Sequence, residues 1–147
     1  EGAASNDLKL DTWAPSYYFL SRTMRKPSPT LTPQELEIMK VVWSRGDATV
    51  RDVYEALLEE RKIAYTTVMT MMNVLEKKGH LRKKAEGRSF LYRRTRPQQK
   101  VVGSMVREFV ERVFGGSAGP LLAHLVEDER LTPEELDALA KRIEEKR

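Results

Sequence analysis

The chain has 147 residues, of which 33% are charged and 40% are hydrophobic, a composition typical of a globular protein and not of a fibrous or fully disordered one. It contains no cysteine, which excludes disulfide bonds, thiolate metal sites and cysteine nucleophiles and fits a protein of the cytoplasm. No apolar run approaches the roughly 18 residues that a membrane-spanning helix needs, so we expect no membrane insertion.

Residues 1–30 show no sustained periodicity, and we expect them to form a disordered extension. They also lack the basic start and continuous apolar core of a secretory signal. Met24, followed by two basic residues, fits the start of a native chain, so residues 1–23 are interpreted as an upstream extension. The alternative is a docking role for Trp13 and the aromatic cluster at residues 17–19.

Two helix starts are marked by capping residues between positions 31 and 64. Thr32, Pro33 and Glu35 combine a capping box with a proline at the first helical position, and Thr49 with Asp52 repeats the box. Residues 45–47 end the first of these helices. The apolar positions that we expect in the buried faces of the two helices are Leu36, Met39, Val42, Trp43, Val53, Ala56 and Leu57.

A third helix is predicted over residues 65–79, and its side chains sort into two faces. An apolar stripe at i, i+4 and i+7 is formed by Val68, Met72 and Leu75. Polar side chains with the same spacing form another face and are Thr66, Thr70, Asn73 and Lys77. Side chains of these types can reach base edges in a major groove, although a polar helix face alone is more often simply solvated.

A strongly basic β-hairpin is predicted after this helix, over residues 81–94. Its tight turn is expected at Glu86 and Gly87, because glycine accepts a positive φ, and Phe90 and Tyr92 alternate towards one side. Residues 77–100 contain ten basic residues and one acidic residue, a net charge of +9, whereas residues 33–76 and 101–147 each carry −3. This segregation predicts a localised polyanion site, and the order of helix and ribbon is that of a winged helix-turn-helix bound to double-stranded DNA.

A broader apolar pattern begins after Pro97 and predicts three more helices. The first ends at the glycines at 115 and 116, a short one covers residues 120–127, and Thr132 with Pro133 opens the last. Three helices of this size cannot enclose so much apolar surface alone, so we predict a homodimer; the alternative is that they pack back on the winged helix. The expected dimer contacts are Val102, Met105, Val106, Phe109, Val110, Val113, Leu122, Leu125, Leu136, Leu139 and Ile143.

Several motifs follow one another in an order that is specific in combination. They are Glu35-x-x-Ile38-Met39-x-x-x-Trp43, Tyr65-Thr66-Thr67-Val68-x-Thr70, Leu75-x-Lys77-Lys78-Gly79, Glu86-Gly87-Arg88-x-Phe90-x-Tyr92 and Leu131-Thr132-x-Glu134-Glu135-Leu136. Over residues 31–147 the chain resembles the penicillinase and methicillin-resistance repressors of the BlaI/MecI type. The resemblance implies a homodimer that binds palindromic operators built on TACA and TGTA half-sites and blocks transcription.

The resemblance also implies a division of the chain and a set of functional residues. After the extension of residues 1–30, it implies a winged-helix DNA-binding domain over 31–96 and a three-helix dimerisation domain over 97–147, a mainly α fold with a small β-hairpin. Thr66, Thr67 and Thr70 are then expected at base edges or phosphates, with Arg88 in the wing. The complete expected DNA-binding set is Thr66, Thr67, Thr70, Asn73, Lys77, Arg82, Lys84 and Arg88.

The chain departs from the family pattern at three places. Many relatives have arginine where this chain has Val74, so one polar contact is missing. Relatives in resistance operons are cleaved at an Asn-Phe bond, and the equivalent pair here is His124 and Leu125. Control by a membrane-linked sensor protease is therefore expected to be absent or to differ in specificity. Without cysteine, the metal-responsive mechanism of copper-regulated relatives is excluded.

An enzyme is not expected, because no motif for a nucleophile, metal site or glycine-rich phosphate loop is present. The two histidines, His80 and His124, are isolated in sequence, and His80 is expected at the surface, with a phosphate contact as the alternative. We expect neither a cofactor nor a metal. The main rival is a winged helix used for protein interaction, with Met69, Met71 and Val74 as the partner surface.

Overall fold

The computed structural model of the protein describes residues 30–147. Met24, Trp13 and residues 1–29 of the expected extension lie outside the described residues. The elements in chain order are helix α1 (Pro33–Arg45), strand β1 (Asp47–Ala48), helices α2 (Val50–Leu58) and α3 (Tyr65–Lys77), strands β2 (Leu81–Glu86) and β3 (Ser89–Arg94), and helices α4 (Gln98–Phe114), α5 (Gly119–Glu127) and α6 (Pro133–Lys146). The predicted class, mainly α with a small β-hairpin, is confirmed, with one additional short strand.

The chain divides into two compact units, one reaching to Val102 and the other spanning Gly103–Arg147. The boundary that the family resemblance implies lies between residues 96 and 97. The difference arises in the first turn of α4, where Val101 is buried and belongs to the first unit.

Capping boxes start three of the helices, as the sequence predicted. At the start of α1 the Thr32 hydroxyl accepts from the Glu35 N–H at 3.2 Å, and the Glu35 carboxylate accepts from the Thr32 N–H at 2.9 Å. Thr49 and Asp52 form the same pair of bonds in α2, and Thr132 and Glu135 form them in α6. Each box satisfies backbone donors that the first helical turn leaves without a partner.

The core of the first unit lies between the three helices and the sheet. The predicted apolar stripe of α3 is confirmed, since Val68, Met72 and Leu75 are all buried. The prediction for α1 was partly wrong. Ile38 is buried in the core, whereas Leu36 and Trp43 are only half-buried at its edge.

The sheet has three antiparallel strands in the order β1-β3-β2. Strand β1 was not predicted, and it pairs Asp47 with Arg93 and Ala48 with Tyr92. In the hairpin, Glu86 pairs with Ser89, so the two-residue loop is Gly87 and Arg88, one position later than predicted. Gly87 has φ of 64°, which the first residue of a type II′ turn requires and which glycine adopts without strain.

The second unit has an unusual distribution of apolar side chains. None of residues 103–147 is buried, although α4, α5 and α6 are rich in Val, Leu and Phe. Two ring contacts involve Phe114, the last residue of α4. Its ring centroid lies 5.8 Å from that of Phe109 in the same helix and 5.9 Å from that of His124 in α5. Within the described residues, no helix has the length and apolarity needed to cross a membrane.

Candidate nucleic-acid interface

Helix α3 separates its core side chains from a solvent-facing side. Its starting residues follow Ala64, which caps the helix without a side-chain hydrogen bond. The side chains of α3 that are exposed and were expected to contact DNA are Thr66, Thr67, Thr70 and Lys77. These four share a surface without acidic side chains between them, which is compatible with the approach of a polyanion.

Asn73 differs from the other expected DNA-binding residues of α3. It is half-buried, and its Oδ1 accepts hydrogen bonds from the Tyr92 hydroxyl at 3.1 Å and from Lys83 Nζ at 3.4 Å. Both donors belong to the hairpin of β2 and β3, which we call the wing. Because the Asn73 carbonyl already accepts these two hydrogen bonds, only its amide NH₂ group is left as a donor for a ligand. Asn73 connects α3 to the hairpin, a role that the helical spacing did not indicate.

The pleat of the hairpin distributes its basic residues over two faces. Lys83 contacts Asn73 of α3, so the side chains at positions 83 and 92 lie on the face towards the helix. Because successive side chains of a strand alternate, Arg82 and Lys84 lie on the opposite face. In the sequence analysis, Arg82 and Lys84 were placed in one DNA-binding set with the residues of α3. In the structure, their side chains lie on the face of the wing that points away from α3.

Arg88 occupies the loop at the tip of the wing and is exposed. Phe90 and Tyr92 share a face, as predicted, but their environments differ: Tyr92 is 2% exposed and Phe90 is 47% exposed. Lys83 Nζ lies 4.7 Å from the centroid of the Phe90 ring. This distance permits a cation–π interaction, which fixes Phe90 beside the cleft between α3 and the wing.

Two of the ten basic residues between positions 77 and 100 are neutralised by ion pairs. Lys78 Nζ contacts both carboxylate oxygens of the buried Glu35, at 2.9 and 3.1 Å. Arg93 donates two hydrogen bonds to Asp47, which raises the pKa of Arg93 and lowers that of Asp47. The charge available to an anionic partner is therefore smaller than the sequence count, and the residues without such an ion pair include Lys77, Arg88 and the two on the outer face of the wing, Arg82 and Lys84.

The family follows from direct comparison with known proteins. The penicillinase repressor family model matches residues 31–145. The chain belongs to this family. It is 36% identical to the transcriptional regulator BlaI of Mycobacterium tuberculosis over 76% of this chain and 80% of that protein. It is 28% identical to the penicillinase repressor of Bacillus licheniformis over 82% of this chain and 94% of that protein.

Among solved structures, the DNA-binding domain of the repressor BlaI covers 50% of this chain and 89% of its own, with 33% identity and a TM-score of 0.45. The names of the relatives are those of transcriptional repressors and regulators, which is a non-enzymatic class of protein. The resemblance found in the sequence motifs is thus confirmed at the level of the family.

In this penicillinase repressor family member, every residue predicted at the dimer contact is exposed or half-buried in the single chain. The exposed ones are Val102, Val106, Phe109, Val113, Leu122, Leu136, Leu139 and Ile143. Met105, Val110 and Leu125 are half-buried.

The two histidines have different environments. His80 is 2% exposed and lies shortly after the end of α3, so the expectation of a surface position was wrong. The cause is the turn at Gly79, whose φ of 86° redirects the chain and places His80 at the start of the sheet, next to the buried Leu81. His124 is exposed in α5, and Leu125 follows it half-buried.

Proposed function

We propose that this member of the penicillinase repressor family is a dimeric transcriptional repressor that binds palindromic operators of the TACA/TGTA type. The observation that carries the proposal is the exposed threonine surface of α3 beside a basic hairpin. Such a helix fits the major groove of B-form DNA, and the adjoining ribbon is positioned to contact phosphates. A repressor of this type acts where the chromosome is, so the cytoplasm is the proposed location.

The roles of the interface residues follow from their positions. Thr66, Thr67 and Thr70 are exposed on one helix and have hydroxyl groups that donate to or accept from base edges. Lys77 and Arg88 lie at the end of α3 and at the wing tip, where a cation neutralises phosphate charge. The threonines are therefore proposed to set sequence preference, and the cations are proposed to set affinity.

Dimerisation is proposed through the second unit. The apolar side chains of α4, α5 and α6 that remain exposed are the surface proposed to associate with an identical copy. A two-fold dimer presents two α3 helices to successive major grooves, about 34 Å apart along the DNA. This geometry explains why a palindromic target suits the assembly.

The proposed function is tested by fluorescence anisotropy of the full chain with a palindromic TACA/TGTA duplex and a scrambled duplex at about 150 mM salt, a condition that screens nonspecific contacts. We expect selective binding of the palindrome. Equal, weak binding of both duplexes would contradict operator recognition and favour the rival protein-interaction module.

Two variants separate the proposed roles in the same assay. Arg88→Ala is expected to weaken binding to both duplexes alike, because a phosphate contact carries no sequence information. Thr67→Val is expected to reduce the ratio of affinities for the palindrome and the scrambled duplex, since it removes a hydroxyl at nearly constant volume. An unchanged ratio would show that Thr67 does not read bases.

We do not propose that a sensor protease of the resistance type inactivates this repressor, or that it controls a β-lactam response. The reason is a difference in the segment that the protease cleaves. The pair His124 and Leu125 replaces the Asn-Phe bond of the resistance repressors and lies inside helix α5. A helical segment must unwind before a protease can bind it in an extended form. Incubating the full chain with a sensor protease of the resistance type is therefore expected to leave it intact.

A further inference from the structure

Met69 is an exposed apolar side chain in the middle of a polar and cationic surface. It lies on α3 one position before Thr70, and 40% of its surface is exposed in the single chain. Exposed methionine is unfavourable in water, and the surrounding threonines and cations do not cover it. The apolar surface proposed for dimerisation belongs to the second unit, so Met69, in the first unit, is not among the residues of that proposal.

The environment of Met69 is a cleft between α3, the start of α2 and the wing, with a volume of about 470 Å³. Two exposed aromatic side chains, Tyr65 and Phe90, also line it. The Tyr65 ring packs edge-to-face on Tyr54 with 5.3 Å between centroids, and Phe90 is held by Lys83. These two contacts restrict both rings before any ligand binds, which lowers the entropy cost of binding.

The cleft is lined by apolar and aromatic side chains together with polar and cationic ones. Arg51, Lys83 and Arg88 are its charged lining residues, and no acidic side chain lines it. The matching ligand is negatively charged overall and presents a small apolar group. Double-stranded DNA has this combination in its major groove, where the 5-methyl of thymine is the apolar group at the base edges.

We propose that Met69 determines specificity by contacting the 5-methyl group of a thymine in the operator. The inference rests on the proposed function and adds to it a residue that reads a base without a hydrogen bond. A flexible thioether side chain adapts to the position of the methyl group, while the neighbouring threonines make the polar contacts. A TACA half-site contains three thymines over its two strands, so the contact is possible at three defined positions.

The test replaces each thymine of the half-sites in turn with deoxyuridine, which removes only the methyl group. Binding of the full chain and of Met69→Ala to each duplex is measured by fluorescence anisotropy. At one position, removal of the methyl is expected to weaken binding by the unsubstituted protein about fourfold per half-site. The same duplex change is expected to have no measurable effect on Met69→Ala.

Three variants serve as controls for folding and for simple loss of apolar surface. Met69→Leu keeps an apolar side chain and is expected to keep most of the deoxyuridine effect. Two further variants are expected to keep the full deoxyuridine effect. Leu58, at the end of α2, is 41% exposed, and Val74, on α3 but not part of the cleft lining, is 38% exposed; each is replaced by alanine.

The outcomes distinguish this inference from the proposed function. If the palindrome is bound selectively but no deoxyuridine duplex is weakened, or if Met69→Ala keeps the full effect, the inference on Met69 is wrong and the repressor stands. If Val74→Ala abolishes the effect, the methyl reader is Val74 and the inference is again wrong. If the unsubstituted protein does not prefer the palindrome, the proposed function falls, and the inference falls with it.

Discussion

The two units of the chain differ in how they treat their apolar side chains. Within the described part of the chain, the first unit buries thirteen of them, from Leu31 to Val101, whereas none of residues 103–147 is buried. A unit with its own core can fold as a single copy, while helices whose apolar faces remain exposed need a second surface to cover them. The comparison separates a part of the sequence that has its own buried core from a part whose apolar side chains stay exposed, and the second part is where we propose that assembly occurs.

The largest expected effect comes from charging the exposed face of α4. Phe109→Glu combined with Val113→Glu places two carboxylates in the proposed dimer contact, where they would be desolvated without partners. We expect a monomer by light scattering. Its affinity for the full palindrome is expected to fall about 100-fold or more, because the second half-site is no longer bound by a linked copy.

The control for this variant is Glu111→Lys, an exposed position of α4 that helical periodicity places opposite Phe109 and Val113. It changes charge on the same helix and is expected to leave the dimer intact. A double variant that still elutes and scatters as a dimer would show that the units have been assigned the wrong roles.

The next effect concerns the core of the first unit. Ile38→Ala removes a side chain that is 1% exposed, and we expect a loss of about 2–5 kcal/mol in the free energy of unfolding. The measurement is denaturant unfolding followed by circular dichroism at one fixed protein concentration, since dimer formation makes stability depend on concentration. Leu58→Ala is the matched control, and a comparable loss there would contradict the location of the core.

The predictable parts of this fold were those fixed by neighbouring residues. The capping boxes at Thr32, Thr49 and Thr132 need only four consecutive residues, so each helix start was correct. Strand β1 was missed, because it exists only through pairing with β3 some 45 positions later, and nothing in the two residues themselves signals it. His80 was wrongly placed at the surface for a different reason, because its burial follows from the turn at Gly79, where the chain enters the sheet.

The sequence predicted the types of residue in the candidate site but not the side chains with which they form hydrogen bonds and ion pairs. The spacing of Asn73 on α3 is the same as that of the exposed threonines, yet its carbonyl is bonded to Tyr92, nineteen residues away. Likewise the basic count included Lys78, whose ion-pair partner Glu35 lies on α1. Side-chain partners of this kind depend on tertiary packing, which periodicity within one helix does not contain.

The ion pair between Glu35 and Lys78 gives a third, intermediate effect. Lys78→Met leaves the buried carboxylate without its cation, and we expect a loss of about 1–3 kcal/mol in unfolding free energy near neutral pH. Arg51→Ala, which breaks the exposed pair with Glu55, is the matched control and should cost less than about 0.5 kcal/mol. Equal losses would show that the burial of Glu35 has no energetic importance.

This pair also predicts a pH dependence. Burial acts to raise the pKa of Glu35, but the hydrogen bonds from the Thr32 N–H and Lys78 outweigh it and lower the pKa below its ordinary value of 4.5. A lowered carboxylate pKa stabilises the folded state above the unfolded pKa, and that stability is lost as pH falls through the folded value. In Lys78→Met the stability of the folded state should begin to fall at a higher pH than in the unsubstituted protein. An unchanged pH midpoint of acid unfolding would contradict the assignment of Lys78 as the cation that lowers the pKa of Glu35.

The smallest expected effect concerns the hydrogen bond between Tyr92 and Asn73, which connects the wing to α3 within the first unit. Burial, together with the nearby Glu76 charge, raises the pKa of Tyr92 above its ordinary value of 10.0, so its hydroxyl stays protonated and donates to Asn73. Tyr92→Phe removes this bond and leaves the Asn73 carbonyl only its longer contact with Lys83. We expect a loss of about 1 kcal/mol in unfolding free energy, with the dimer unaffected.

The control is Tyr54→Phe, which keeps the ring contact with Tyr65 and removes a hydroxyl elsewhere in the first unit. Hydrogen exchange of the β2 and β3 amides distinguishes the two variants, because only Tyr92→Phe should increase opening of the wing. If both variants exchange alike, the wing is held by the strand pairing alone. Asn73 would then be free to turn its carbonyl towards DNA, and the separation of this side chain from the base-reading threonines would have to be withdrawn.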